Sequence, residues 1–393
     1  MAANTEDVRT ASPLEHLAGL LLADGERIAE RGAAAMQELL PSYAKVPREA
    51  LTPVVLANTR NLLEAICDPD GDRTRAQEDY RASGEARARQ GITSDEMLHA
   101  WRIGLDVLRE EAHAIADELG IGKDVLLEFV EATLRWGDVG MRASASAHRE
   151  AEFEMARHEQ HHRTNLVRGI LFGTLAPAAI RVQAAGYGLD LAASYHAVRT
   201  RPTEALTVRA LERQLGIADG AGPRRGLAAL LDGDLVGFVQ QPLPSSVTAT
   251  VGVGPAAALH ELGNSFPPAT RALEGALATG ATGPVGMGDL GLWPAVIADR
   301  DVGDELLRRV IDPVLAQGRT GEAVLETVVR YLANDLRLEV TAEEMFLHVN
   351  TVRYRLRRFE ELSDMSLRRV DDLVQVWWAV QRHRLGTAAH QAL

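Results

Sequence analysis

The sequence has 393 residues, of which 46% are hydrophobic and 25% charged, as is ordinary for a globular protein with two or three domains. It contains no apolar run long enough to cross a membrane and no signal-peptide pattern, and its single cysteine, Cys67, excludes a disulfide framework and a cysteine-rich zinc site. The net charge of −13 argues against a surface that is basic as a whole, but it leaves room for local basic patches. We therefore expect a cytoplasmic protein without membrane contact.

The first part of the chain is predicted to be helical. Residues 1–12 are small and polar, and we expect a disordered tail there. Over residues 13–138 apolar side chains recur at helical spacing, which predicts an all-helical domain. Within that domain, Thr93 and Glu96 form a capping-box pattern, which opens a helix with Trp101 on its apolar face.

Composition changes twice in the middle of the chain. Residues 139–168 are rich in Ala, Glu, Arg and His, which predicts a solvated helix connecting two parts of the molecule. Glycine and proline become frequent over residues 169–300, which indicates a central α+β domain. A further helical domain is predicted over residues 301–393. The predicted fold class is therefore multidomain and mainly α.

The central domain carries a few clear local patterns. Asp232-Gly233 lies between two short apolar segments and predicts a β-hairpin. Alternating apolar residues over 247–253 predict a half-buried strand, and helices fit 203–215 and 269–278.

Two capped helices are predicted near the C-terminus. Thr341 and Glu344 form a capping-box pattern, so we expect a short helix that begins there and ends near Leu347. Asn350 is a good N-cap for a second helix that runs to about Leu362. Two helices joined by a three-residue turn are the skeleton of a helix-turn-helix.

The second of these helices has an apolar face and a basic face. At about 100° per residue, Val352, Leu356 and Phe359 fall on one side, while Tyr354, Arg357 and Arg358 lie roughly opposite. Arginines supply phosphate contacts and bidentate readers of guanine, so we favour DNA contact over a merely solvated basic face. The predicted DNA-contacting residues are Thr341, His348, Asn350, Thr351, Arg353, Tyr354, Arg355, Arg357 and Arg358.

The segment from His348 to Leu362 resembles the C-terminal helix-turn-helix signature of the PucR/CdaR family of bacterial transcriptional regulators. The resemblance covers about 324–385 and departs from the family at 363–366, where a glycine usually ends the helix. It implies a regulator of transcription that responds to a small-molecule effector and binds double-stranded operator DNA. Because one such module contacts few phosphates, we expect two half-sites to be bound together by a homodimer or higher homo-oligomer.

The central region resembles the GGDEF-like domain of the same family. In true diguanylate cyclases a glycine-glycine-acidic hairpin positions nucleotide and metal, and the corresponding hairpin here carries Asp232 and Asp234. Two-metal phosphoryl chemistry needs carboxylates from two strands, yet the candidate first strand, 195–200, has no acidic residue, and no lysine follows Lys123. We therefore expect a degenerate domain and a protein that is no enzyme and holds no metal or cofactor.

The N-terminal region resembles the amino-terminal domain of RsbR-type stress signalling proteins, through the stretch 91–104. That resemblance implies a globin-like helical fold without haem, serving in sensing or dimerisation. His158 and His162 match the pattern H-E-x-x-H, but the positions of a third zinc ligand hold other residues, which disfavours a protease. The main alternative function is an RsbR-like protein-interaction module without DNA binding.

Overall fold

The computed structural model describes residues 12–217, 224–240 and 242–391, and it is multidomain and mainly α, as predicted. The chain divides into two compact units, with the boundary between Gln160 and His161. The tail predicted at 1–12 lies outside the described residues, except for Ser12, which caps the first helix. Within the described ranges, no helix combines the length and apolar character that a membrane crossing requires.

The first unit is built from helices alone. They are α1 (Pro13–Ala23), α2 (Gly25–Leu39), α3 (Arg48–Cys67), α4 (Thr74–Arg89), α5 (Ser94–Leu119) and the first part of α6 (Lys123–Leu171). The predicted capping box is confirmed, because the Thr93 hydroxyl accepts from the Glu96 backbone N–H and the Glu96 carboxylate accepts from that of Thr93. Such a cap satisfies two of the backbone N–H groups that a helix start leaves open.

Helix α5 lies at the centre of the first unit's core. Its residues Met97 and Trp101 are buried together with Tyr43 and Leu51, which come from other parts of the unit. The Trp101 ring meets the Tyr80 ring edge-on, with centroids 5.5 Å apart. The apolar face predicted from the spacing is thus the buried face of the helix.

The predicted connector, residues 139–168, is part of one continuous helix. Helix α6 begins at Lys123 and runs for 49 residues. Contrary to the expectation of a solvated helix, Ala147 and His148 are fully buried, and His148 Nε2 contacts the Ile92 carbonyl oxygen at 2.8 Å. Small side chains allow this close approach, but they do not give the pattern of large apolar residues that predicts a buried helix face. Within the predicted connector, residues 152–162 are mostly exposed.

The second unit combines a small sheet with two layers of helix. Its elements after α6 are α7 (Pro177–Gly186), β1 (Ser194–Thr200), α8 (Val208–Gln214), β2 (Gly226–Leu231), β3 (Asp234–Val239), β4 (Val251–Ala258), α9 (Leu262–Thr279) and β5 (Pro284–Gly286). The strand order is β2-β3-β1-β4-β5, antiparallel except for the β4–β5 pair. Helix α9 packs across β1 and β4.

The predicted hairpin is present, and the backbone angles of its turn show why Asp-Gly occupies it. Asp232 and Gly233 have φ of 51° and 85°, the left-handed values that a two-residue hairpin turn requires. The strand predicted at 247–253 begins only at Val251, and α9 begins seven residues before the predicted Ala269. The helix predicted over 203–215 is confined to α8.

The C-terminal part of the second unit is helical, as predicted. It contains α10 (Trp293–Ala298), α11 (Arg300–Leu306), a π-helical segment (Leu307–Ile311), α12 (Asp312–Leu315), α13 (Arg319–Ala333), α14 (Leu338–Glu344), α15 (Val349–Ser363) and α16 (Val370–Gln391). Their shared core includes Val310, Val328, Val352, Phe359 and Val376, each fully buried.

Candidate nucleic-acid interface

Helices α14 and α15 form the predicted helix-turn-helix, but the first of them begins earlier than expected. The helix start predicted at Thr341 is wrong, because α14 begins at Leu338 with Arg337 as its N-cap residue. Glu344 instead links the helices of the module, since it accepts hydrogen bonds from Arg330 Nη1 at 2.9 Å and Asn334 Nδ2 at 2.6 Å.

Thr341 is also displaced from the set of predicted DNA contacts. Its side chain is fully buried, and its hydroxyl donates to the Arg337 carbonyl oxygen at 2.8 Å. A buried hydroxyl that is already bonded within its own helix has no path to a phosphate. Its role is therefore to hold α14 in place.

The turn between the two helices contains an unusual aromatic residue. Phe346 has φ of 54° and is 96% exposed. Its backbone N–H donates to the Glu343 carbonyl and that of Leu347 to the Ala342 carbonyl, so the residue completes the C-terminal cap of α14. Glycine usually takes this position, because a Cβ is strained there. No sequence signal marked Phe346.

The N-cap of helix α15 lies two residues before the predicted cap. His348, not Asn350, is its N-cap residue, and the His348 Nδ1 accepts from the Asn350 backbone N–H at 3.2 Å. This frees the Asn350 side chain, whose Oδ1 accepts from Arg353 Nη1 at 3.1 Å. Both Asn350 and Arg353 are exposed.

The apolar stripe predicted on α15 is its buried face. Val352 and Phe359 are fully buried and Leu356 is nearly so. The helix ends at Asp364, which has φ of 55° and thus takes the left-handed position where the related family usually has glycine. Aspartate tolerates this conformation better than most residues, so the departure at 363–366 leaves the helix end regular.

Opposite that stripe lies what we call the outer face of α15, formed by Asn350, Arg353, Tyr354 and Arg357. These residues stand at positions i, i+3, i+4 and i+7, the spacing that lines one side of a helix. All four are exposed, and the Tyr354 side chain is 65% accessible. Among the described residues no carboxylate pairs with Arg353 or Arg357, so the face keeps its positive charge.

The other predicted contacts are less free. Arg355 is half-buried and donates to the Ala323 carbonyl oxygen at 3.4 Å and to Thr327 Oγ1 at 3.3 Å, so it braces α15 against α13. Arg358 pairs with Glu361 at 3.1 Å along the helix. Thr351 is half-buried beside the outer face. The structure thus concentrates the accessible, unpaired cations of α15 on Arg353 and Arg357.

The hairpin carboxylates of the central domain are arranged differently from a metal site. The Asp234 side chain is 3% exposed and accepts hydrogen bonds from Arg199 Nε and Arg201 Nε, each at 2.8 Å. Burial acts to raise the pKa of Asp234, but the bonds from Arg201 and Arg199 outweigh it and hold that pKa below the ordinary value. Both carboxylate oxygens therefore already accept hydrogen bonds from guanidinium groups. Within the described ranges, no three His, Cys, Asp or Glu side chains lie close enough to hold a metal.

Known protein families match both ends of the chain. The model of the PucR C-terminal helix-turn-helix domain matches residues 324–381, which include most of α13, all of α14 and α15, and about half of α16. The C-terminal region is a PucR-type helix-turn-helix domain. The model of the RsbT co-antagonist protein RsbRD N-terminal domain matches residues 26–163. The resemblances inferred for the N-terminal and C-terminal regions are therefore confirmed, and the outer face of α15 lies within the PucR-type domain.

Curated relatives match only segments of the chain. YsfB of Bacillus subtilis, described as uncharacterized, is 30% identical over 138 residues, which cover 35% of this chain and 36% of that protein. An uncharacterized protein of Haemophilus influenzae is 28% identical over 75 residues, covering 19% of this chain and 20% of its own length. The chain thus spans about a third or less of either relative.

One similar solved structure is that of a regulator of polyketide synthase expression from Bifidobacterium adolescentis. It shares 19% identity over 57% of this chain and 94% of its own, with a TM-score of 0.26. A TM-score this low makes the likeness uninformative about either the fold or the function of the present chain.

Proposed function

We propose that this protein is a DNA-binding transcriptional regulator whose PucR-type domain reads operator DNA through the outer face of α15. The observation that carries the proposal is the coincidence of exposed Arg353, Tyr354 and Arg357 on one side of a helix whose opposite side is buried. Arginine forks match phosphate oxygens and the guanine edge, and Asn350 is suited to adenine. The fully buried Val352 fixes the rotation of the helix, so these side chains point outward together.

The finer parts of the proposal concern assembly and regulation. Two accessible arginines and a few helix-end groups neutralise too few phosphates for tight binding at physiological salt, so the protein acts as a homodimer or higher homo-oligomer on paired half-sites. An effector shifts binding by favouring one subunit arrangement over another. The RsbRD-type N-terminal domain is the sensing or dimerisation module, and the protein is cytoplasmic.

We also propose that the central domain, residues 169–300, is a degenerate GGDEF-like domain without catalytic activity. The support is the state of its hairpin, where Asp234 is neutralised by Arg199 and Arg201. Catalysis by two metals would need free carboxylates on two strands. The proposed boundaries of the remaining domains are 13–138, 139–168 and 301–393.

DNA binding is tested by titrating the full chain into labelled DNA from upstream of its own gene and measuring the fluorescence anisotropy at several salt concentrations. The double variant Arg353→Ala/Arg357→Ala should bind at least about tenfold more weakly, since each reader of a base edge contributes roughly 1–3 kcal/mol. If both arginines contact phosphates instead, the slope of log K against log salt should shrink by about 1.8. The matched control Arg319→Ala/Arg368→Ala removes two exposed cations outside α15 and should bind like the wild type.

A second candidate function has an observation in its favour. The RsbRD-type match covers 138 residues, more than twice the length of the helix-turn-helix match, which agrees with a protein-interaction signalling module. The same experiment separates the two. Unchanged affinity and salt dependence in the Arg353→Ala/Arg357→Ala variant would contradict the DNA proposal and favour the interaction module.

A further inference from the structure

The RsbRD-type domain contains a partly open cavity that the proposed DNA function does not use. It has a volume of about 50 Å³ and lies between α2, α3, α4 and α5. Most of its wall is apolar and comes from long or aromatic side chains, including Met36, Val55, Met97 and Trp101. Gly104 of α5 leaves part of this space open, because it has no side chain there.

One charged side chain stands in that apolar wall. Arg87 of α4 is 2% exposed, and among the described residues no carboxylate forms an ion pair with it. Among the described residues, its guanidinium donates one hydrogen bond, from Nη1 to Gln90 Oε1 at 2.5 Å, and it lies 5.6 Å from the centre of the Tyr43 ring. A guanidinium has five N–H donors, so most of its donor capacity remains for another acceptor.

Burial of this cation lowers the stability of the fold unless an anion pairs with it. Burial lowers the pKa of Arg87, and it raises the pKa of the neighbouring Tyr43 to about 12, so the phenol stays neutral and gives no counter-charge. An unpaired charge in an apolar site destabilises the folded protein. Arg87 is therefore suited to form an ion pair with an anion that binds in the cavity.

A second polar group in the wall has no hydrogen-bond partner among the described residues. Asn58 Oδ1 is fully buried and accepts no hydrogen bond from them, while Asn58 Nδ2 donates to Ser83 Oγ at 3.4 Å. Both residues line the cavity. Buried polar atoms are nearly always satisfied, so this oxygen calls for a donor inside the cavity.

We infer that the cavity binds a small carboxylic acid anion, with its carboxylate on Arg87 and its hydrocarbon part against Trp101 and the two methionines. The size of the ligand follows from the volume. Since one water-sized sphere occupies about 10–15 Å³ on this measure, the cavity holds about four non-hydrogen atoms, and flexible Met36 and Met97 side chains allow slightly more. The chemical class is therefore a monocarboxylate of two or three carbons, which has four or five non-hydrogen atoms, and a hydroxyl group on the two-carbon acid would satisfy Asn58 Oδ1.

Binding is tested on the full chain with propionate as the probe and propionamide as its uncharged isostere. Propionate should raise the Tm of the transition that contains the first unit, by roughly 5–10 °C at a hundredfold excess over Kd and with the logarithm of its concentration beyond that. Propionamide should give no such shift. In protein labelled at the methionine methyl groups, the NMR signals of Met36 and Met97 should move along a saturation curve whose Kd agrees with the Tm data.

Three variants locate the site. Arg87→Met keeps the length of the side chain but removes the cation, and Gly104→Val fills the cavity while leaving Arg87 in place. The first added carbon at Gly104 would lie 3.3 Å from the end of Met36, a flexible side chain that can give way. Both variants should lose the propionate response. Arg89→Met removes an exposed arginine of the same helix and should keep the response.

Several results would overturn the inference. They are the absence of a saturable response in the wild type, an equal response to propionamide, and a response that survives Arg87→Met or Gly104→Val. If Arg87→Met does not fold, Gly104→Val decides alone, since it leaves the cation intact. None of these measurements involves DNA, so their outcome is independent of the proposed regulatory function.

Discussion

The hairpin carboxylate of the central domain is expected to be a structural anchor, and replacing it tests that role. In Asp234→Asn the side chain keeps its shape but loses its charge, so the hydrogen bonds from Arg199 and Arg201 are no longer between ions. Asp234 is the first residue of β3, Arg199 belongs to β1, and Arg201 directly follows β1. The ion pairs between them therefore link these two neighbouring strands. We expect the second unit to become less stable.

The size of the effect follows from the exposure of the two arginines. The Arg199 side chain is 25% exposed, and a hydrogen bond between charged groups there contributes about 1.5–3 kcal/mol. The Arg201 side chain is 58% exposed, so solvent screening reduces its share to about 0–1 kcal/mol. The asparagine oxygen retains part of this, so the free energy of unfolding should fall by about 1–3 kcal/mol near pH 7.

The pH dependence has a definite sign. The pKa of Asp234 is lowered on folding relative to about 3.9 in the unfolded chain, so the stabilisation is fully present above that pH. It is lost as the pH falls through the folded-state pKa, because protonation then favours the unfolded chain. The difference between the wild type and Asp234→Asn should therefore be constant between pH 5 and 7 and shrink at lower pH.

Guanidinium chloride unfolding followed by circular dichroism measures this difference at each pH. Asp232→Asn is the matched control, since Asp232 is exposed in the turn and asparagine tolerates its left-handed φ of 51° equally well. Equal stability of Asp234→Asn and wild type at pH 7, or a difference that grows on acidification, would refute the structural role. Stabilisation of the wild type alone by added magnesium would point to a metal site instead.

Two further substitutions probe backbone constraints. Phe346→Gly should stabilise the PucR-type domain by about 1 kcal/mol, because it relieves the strain of a left-handed backbone at an exposed position. Met345→Gly, at an ordinary helical φ, should destabilise the domain. An unchanged Tm in Phe346→Gly would argue against strain. Gly84→Ala should destabilise the first unit by about 3 kcal/mol, because the added carbon would overlap the Ser144 carbonyl oxygen of α6. Gly19→Ala, which meets no atom within 4 Å, should instead be neutral or stabilising in the same thermal melts.

Local sequence patterns correctly predicted those elements whose local preferences agree with their tertiary packing. The capping box at Thr93 and the hairpin at Asp232 each combine a turn requirement with flanking apolar segments, and both are present. Thr341 and Glu344 satisfied the same capping pattern without being a helix start. A threonine inside a helix can bond to the carbonyl four residues earlier, as Thr341 does to Arg337, and the sequence does not distinguish the two arrangements.

Tertiary packing decided the remaining differences. Helix α9 was predicted to start at Ala269, yet it begins at Leu262 and contains Pro267 and Pro268, because its first turns are buried against the sheet. There Ser265 Oγ donates to the Pro255 carbonyl oxygen at 2.6 Å. The buried Arg87 could not be foreseen either, since nothing in the sequence separates it from the solvated arginines of the same helix.

The cations on the outer face of α15 are all guanidinium groups, and this limits how the surface can be controlled. The two lysines of the chain, Lys45 and Lys123, both belong to the first unit, so the second unit has no amine side chain for acetylation to neutralise. Guanidinium groups also stay charged throughout the pH range in which proteins fold. The positive charge of Arg353 and Arg357 is consequently constant, and neither acetylation nor a change of pH within this range can switch off their contact with DNA.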